Sequence, residues 1–226
     1  MLALTFVTGI IDAVGYLGLD RVFTANMTGN LVILGMGLAG ADNLPIIGPA
    51  LALGGFALGA VIGGRVVRTL PAGWSHRSSV AFSTAAVLTL GFGTAALIVP
   101  PQSNPAWAYV VTMILALAMG VQAAAARRLG VKDVTTVVIT STLMGLAADS
   151  RMSGGDGQHA GRRAAAVALM LVGAVMGALM LRLGGERGVG IGMMVAGALS
   201  LTIALIGHWL LADERAAPTA GAGSPS

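Results

Sequence analysis

There is no cysteine among these 226 residues, which excludes disulfides, thiolate metal sites and cysteine nucleophiles. Charge is scarce as well: Asp, Glu, Lys and Arg make up 10% of the chain, where a soluble globular chain carries about 25%. So few charges cannot cover a water-facing surface. That excludes a soluble enzyme, a disordered chain and a nucleic-acid binder. The three histidines (His76, His159, His208) are widely separated, which speaks against a His-rich metal site. What the chain has instead is apolar surface: 56% hydrophobic residues and a mean hydropathy of +0.86. The isoelectric point near 10.7 reflects a few loop arginines, and retention of positive charge on the cytoplasmic side is the simplest cause.

A helix needs about 20 apolar residues to cross the hydrocarbon core. Eight apolar stretches are present: Leu2–Leu19, Val22–Gly40, Leu44–Val67, Val80–Val99, Ala106–Ala126, Val134–Ala148, Ala164–Leu183 and Val189–Leu211. The first has no basic n-region and contains Asp12, so it reads as a membrane segment and not as a cleavable signal. Trp74, Trp107 and Trp209 fall near segment ends, where interfacial indoles belong. Ser150–Arg163 is Gly-rich and charged and reads as a flexible loop. Residues 213–226 read as a disordered tail.

The chain resembles itself at an offset of 112 residues. Leu17, Gly18, Val22, Thr24, Thr28 and Leu31 recur as Leu129, Gly130, Val134, Thr136, Thr140 and Leu143. Gly55 and Gly59 have Gly173 and Gly177 as counterparts, each pair spaced G-x-x-x-G, a close-packing motif. The reading is one transmembrane domain over 1–212, divided into repeats 1–101 and 102–212. Duplicated transporters place their substrate site at the repeat interface and build it from discontinuous helices. Segments two and six suit that role, because each opens on a polar, Thr-containing stretch. They read either as full spans or as re-entrant hairpins.

The positive-inside rule weighs the alternatives. With eight spans and the N-terminus outside, nine Lys and Arg are inside and four outside. With segments two and six re-entrant and the N-terminus inside, ten are inside and three outside. With only segment six re-entrant and the N-terminus outside, eleven are inside and two outside. The balance mildly favours at least one re-entrant segment. Three true spans per half is an odd number, so the six-span arrangement inverts the halves and lets the two polar hairpins meet near the midplane. The fold class expected is an all-α, polytopic membrane helical bundle with internal duplication. It has six to eight membrane segments, of which two and six are re-entrant or broken.

Asp12 sits inside the first apolar segment, where a carboxylate costs about 2.5–3.5 kcal/mol on the insertion scale. It reads either as a coupling-ion, proton or substrate site, or as a structural carboxylate that pairs with Arg or caps a broken helix. Arg127 or Arg128 is the expected partner. Asn26, Thr28 and Asn30 offer amides and a hydroxyl, and Gly29 allows close backbone approach. The set suits a small polar solute or a cation. Gln122 lies five residues before Arg127. Thr136 and Thr140 share one face if helical, although a membrane threonine commonly bonds its own backbone. No phosphate loop, H-E-x-x-H, G-x-S-x-G or catalytic acid pair is present.

Asp12-Ala13, followed by Val22-Phe23-x-Ala25-Asn26-Met27-Thr28-Gly29-Asn30, resembles the YoaK-like family of bacterial membrane proteins (domain of unknown function 1275). Gly120-x-Gln122-x-Ala124-x-x-Arg127 and Thr135-Thr136-x-x-x-Thr140-x-Thr142 carry the resemblance into the second half. Ala123 departs from it, since an amide commonly follows the Gln. The resemblance implies a multi-pass protein of the bacterial inner membrane and brings no established substrate or reaction.

The leading expectation is a secondary transporter or permease for a small solute or ion, not an enzyme, with no cofactor, no metal and no nucleic-acid partner. Asn26, Thr28, Gly29, Asn30, Thr136 and Thr140 would line the path. Asp12, Gln122 and Arg127 would couple or gate it. The alternative is a non-transporting scaffold or sensory and assembly partner, with a dry interior at Asn26–Asn30. The lipid bilayer is the one certain partner, and assembly into a homo-oligomer is left open.

Overall fold

A computed structural model describes residues 1–68, 74–129, 139–150, 153–155 and 159–216, with the side chains of 211–216 left aside. Every regular element among them is helical. The α-helices are α1 (Leu2–Gly18), α2 (Met27–Leu38), α3 (Ile47–Val67), α4 (His76–Ile98), α5 (Pro105–Arg128), α6 (Ile139–Ala148), α7 (Ala160–Gly184) and α8 (Gly188–Ala216). The all-α membrane bundle expected from the sequence is the fold observed. One boundary moves: α8 continues to Ala216, past the expected start of the tail at 213. Leu210–Ala216 contains only residues a helix tolerates, and the first proline is Pro218. Residues 217–226 lie outside the described residues. Likewise α7 begins at Ala160, inside the stretch expected as loop.

Length separates two kinds of helix. Four apolar stretches are long enough to cross a bilayer: α3, α4, α5 and the 51-residue run Ala160–Leu210. The last would be about 75 Å long if straight, more than twice the hydrocarbon thickness. It folds back at Gly185, whose φ of +54° is open to glycine at little cost, and so supplies two spans, α7 and α8. The 17 residues of α1 are at the lower limit for a span. By contrast α2 and α6 have 12 and 10 residues, about 18 and 15 Å. Each reaches halfway across.

Helix directions follow from the glycine contacts. A Cβ on Gly55, Gly59 or Gly63 would strike Met113, Leu117 or Val121, so α3 and α5 are parallel neighbours. Gly173 and Gly177 meet Phe6 and Ile10 in the same way, so α1 and α7 are parallel too. Gly93 meets Met193 and Gly190 meets Leu97, so α4 and α8 are antiparallel. The apolar core fills the centre, from Ile10, Ile11 and Val14 of α1 to Leu115 of α5 and Met193 of α8.

Shifted by 112 residues, the starts of α3 and α4 fall at 159 and 188, while α7 and α8 begin at Ala160 and Gly188, and α6 takes the place of α2. The packing follows the same relation. α1 pairs with α7, the counterpart of α3, and α5 pairs with α3. Each half therefore completes its core with the other. Read as spans, α1, α3, α4, α5, α7 and α8 give three per half, and the short α2 and α6 stop halfway; that reading inverts one half against the other. The N-terminal end of α1 lies on the same face as the ends carrying Arg65, Arg68, Arg77, Arg127, Arg128, Arg162 and Arg163. Arg21, Arg182 and Arg187 lie on the opposite face. By the positive-inside rule the first face is the one expected on the cytoplasmic side.

Because the chain is cysteine-free, this arrangement is directly testable. Gln102→Cys and Glu186→Cys are both expected to react with a membrane-impermeant maleimide in intact cells, and Arg68→Cys only after permeabilisation. An eight-span protein would place positions 102 and 186 on opposite sides.

Candidate functional site

The site begins with a chain reversal. Asp20 and Arg21 both adopt left-handed backbone conformations, φ 62° and 58°, and turn the chain back along the helix it has just left. The Arg21 N–H donates to the Tyr16 carbonyl at 3.0 Å. The Val22 carbonyl then lies against Gly15, where a Cβ would sit 2.6 Å from that oxygen. Descent ends at Asp12. Its Oδ1 accepts the backbone N–H groups of Thr24, Ala25 and Asn26 at 3.0, 2.7 and 3.3 Å. Asp12 lies six residues before the end of α1, about 9 Å along its axis. The carboxylate thus pins a re-entrant loop at membrane depth and satisfies backbone donors that lipid could not.

From there α2 climbs back toward the outer face. Asn26 is its N-cap, with Oδ1 accepting the Gly29 N–H at 3.1 Å, as N-cap amides do. Asn30 clips the loop shut: its Oδ1 accepts the Phe23 N–H at 2.9 Å and its Nδ2 donates to the Phe23 carbonyl at 2.6 Å. Phe23 stacks on Tyr16 with ring centroids 4.9 Å apart. A Cβ on Gly29 would collide with the Phe23 ring, which is the close approach that glycine permits.

The second half contributes α6. Its C-terminal end is held by Arg163 of α7, whose Nη1 donates to the Gly145 carbonyl at 2.7 Å and to Asp149 Oδ2 at 2.5 Å. Its first residues, Ile139 and Thr140, face the start of α2 across a cavity of about 700 Å³. Asp12, Tyr16, Asn26, Thr28 and Thr140 supply the polar lining. Phe23, Val32, Ile33, Ile139 and Met170 supply the apolar remainder. A mostly apolar wall with a few convergent polar groups is the usual form of a small-molecule site.

The expected residues therefore divide. Asp12, Asn26, Thr28, Gly29 and Thr140 line one cavity. Asn30 is fully buried and stands behind the wall as a positioning residue. Thr136 lies outside the described residues. Gln122 is 2% exposed, with no hydrogen-bond partner for Nε2 among the described residues, and it does not line the cavity. Arg127 is exposed in the last turn of α5.

The expected pairing of Asp12 with Arg127 or Arg128 gives way to backbone capping. Leu4, about two turns of α1 before Asp12, shares an apolar cluster with Ala125, Ala126 and Leu129 beside the α5 arginines. The sequence reading missed Tyr16, Phe23, Ile139 and Met170. Tyr16 was within reach, because it follows Asp12 by four residues and shares its helix face. Ile139 and Met170 come from the other half and carry no local signal.

Elsewhere, Thr8, Thr84, Thr89, Thr94 and Thr202 each bond the carbonyl four residues back, the structural use expected of membrane threonine. A second cavity, about 480 Å³, lies between α4 and α8 with His76 and His208 at its wall. It involves neither half-helix.

Comparison with known proteins fits this geometry. The family model described as "Protein of unknown function (DUF1275)" matches residues 1–206. The UPF0700 transmembrane protein YoaK of Bacillus subtilis (strain 168) is 31% identical over 153 residues, 65% of this chain and 64% of the relative. The match thus spans a little under two thirds of that relative's length. No solved structure matches the chain. A transmembrane relative and helices of bilayer length together make this a multi-pass integral membrane protein.

Proposed function

We propose that this chain, which belongs to the DUF1275 family by the match over residues 1–206, is a permease that carries a small solute across the bacterial cytoplasmic membrane. One observation carries the reading: two short helices, one from each half, border one cavity in which Asp12, Asn26, Thr28 and Thr140 supply polar groups. Irregular backbone at membrane depth is tolerated where it is buried in protein or lines a water-filled cavity. Half-helix ends at a repeat interface are the recurring substrate site of secondary transporters. A scaffold has no need for a cavity of this size beside Asn26–Asn30. The reading assigns the chain no catalytic chemistry, and an ion gradient would drive any uphill movement.

The test is flux through purified protein in liposomes, monitored by light scattering across a panel of small neutral, anionic and cationic solutes. At least one solute is expected to enter faster than into empty liposomes, and Thr28→Val together with Thr140→Val is expected to slow it by about tenfold, the effect of one lost good polar contact. If correctly folded protein moves none of them, the permease reading is wrong.

A further inference from the structure

The side chains around Asp12 narrow the substrate, an inference that rests on the permease reading. Asp12 is 5% exposed and lines the cavity. Its Oδ1 accepts the N–H groups of Thr24, Ala25 and Asn26, and Oδ2 accepts none among the described residues. The re-entrant loop thus uses one carboxylate oxygen and leaves the other to the cavity. A buried carboxylate oxygen without a donor is costly. A ligand that brings an N–H to Oδ2 removes that cost.

Among the described residues Asp12 is the one charged group at this wall, and no cation there pairs with it. α2 and α6 contain no ionisable residue. On α7 the nearest are Arg163 and Arg182, seven and twelve residues from Met170. Arg163 is engaged with the Gly145 carbonyl and Asp149. Asp20 and Arg21 are exposed at the outer turn. An anion would meet Oδ2 as a like charge, and a neutral solute would leave that charge unanswered.

The rest of the wall decides which cation. A hard metal ion takes about six oxygen ligands. Beyond Oδ2 the described wall offers the hydroxyls of Tyr16, Thr28 and Thr140 and the Asn26 amide, whose oxygen already accepts the Gly29 N–H. Its remainder is aromatic and aliphatic. Tyr16 follows Asp12 by four residues on the same helix face, and its ring stacks on Phe23. Aromatic faces attract ammonium groups. A charged head and an apolar tail match the two parts of this wall. We propose that the cavity binds a small primary alkylammonium ion. Its nitrogen donates to Asp12 Oδ2 beside Tyr16, and its alkyl chain lies along Phe23, Val32, Ile33 and Met170.

The test is calorimetric binding to the full-length protein in detergent at fixed pH. The probes are butylammonium chloride, butanol and sodium butyrate, which share a tail and differ in charge, with sodium chloride as the inorganic competitor. Wild type is expected to bind butylammonium about tenfold or more tighter than butanol or butyrate, the weight of one hydrogen bond to a charged group. Sodium is expected not to displace it at equal concentration. Asp12→Asn keeps an acceptor for the loop and is expected to lose that preference while remaining folded. Tyr16→Leu leaves the loop capping intact and is expected to weaken butylammonium binding by about fivefold, the loss of one cation–π contact, with butanol binding little changed.

Equal binding of the three butyl compounds, or tighter binding of butyrate, would overturn the proposal. So would displacement of butylammonium by equal sodium, or an undiminished preference for it in folded Asp12→Asn. Should Asp12→Asn fail to fold, butylammonium binding unchanged in Tyr16→Leu would overturn it. Flux of a neutral or anionic solute in liposomes, with no butylammonium binding, would overturn this inference and leave the permease reading standing. Absence of all flux and all binding would remove both.

Discussion

Replacing Asp12 by alanine is expected to destabilise the protein by about 3–5 kcal/mol, because a single oxygen satisfies three backbone donors and each unmet buried donor costs about 1–3 kcal/mol. Thr24 and Ala25 are buried, so their N–H groups lose their acceptor with the carboxylate. A loss of that size lowers the melting temperature of a chain this long by about 10 °C, read by thermal unfolding in detergent. Asp12→Asn keeps an acceptor at the same place and is expected to lose only about 1–2 kcal/mol, the difference between a charged and a neutral hydrogen bond. Equal losses in the two variants would show that the three N–H groups do not depend on Asp12.

The second large effect is expected at the small-residue seams. Gly59 and Gly173 lie where a Cβ would overlap the Leu117 and Phe6 carbonyl oxygens. Those are backbone atoms and cannot rotate away, so valine must push α3 from α5, or α7 from α1. Over-packing of this kind costs about 1–3 kcal/mol per site, and these two contacts hold the halves to each other. Gly59→Val and Gly173→Val are each expected to reach about 3 kcal/mol, seen as a lower melting temperature and a loss of monodisperse protein on gel filtration. Gly54 and Gly64 lie on the same helix as Gly59 with nothing within 4 Å of a Cβ. Alanine there is expected to be neutral or to stabilise by up to about 1 kcal/mol through helix propensity. A contact-free glycine as sensitive as Gly59 would contradict the seam.

How much of the fold is legible in the sequence depends on the kind of signal. The long helices are readable from hydropathy, because a span must be apolar over its whole length. The six-span arrangement is one of three that charge alone allows, and charge does not separate them by more than one or two arginines. Local geometry adds what charge lacks: α2 is short because Asp20, Arg21 and the Asp12 carboxylate delay its start until Met27. Sequence spacing does not reveal that a carboxylate will gather three N–H groups from twelve to fourteen residues away.

The same limit applies to the site. Asp12, Asn26, Thr28 and Gly29 are close in the chain and stand out as polar residues in apolar sequence. Asn30 belongs to the same run, yet it points to Phe23, because only the backbone path decides which side of α2 faces the cavity. Thr140, Ile139 and Met170 come from the second half, and nothing short of the packing of α1 on α7 brings them to Asp12. The offset of 112 residues exposes the counterpart of Thr28 but does not say that both border one space.

The central claim is that the starts of α2 and α6 share a hydrated cavity. In this cysteine-free chain, the rate at which Thr28→Cys and Thr140→Cys react with a small water-soluble methanethiosulfonate in membranes tests it most directly, with Leu58→Cys, exposed on α3 and lining neither cavity, as the reference. The account expects both cavity thiols to react at least tenfold faster than the reference thiol, and modification of either to slow the reaction of the other in the double variant. Two thiols as inert as the one at position 58, in folded protein, would contradict it.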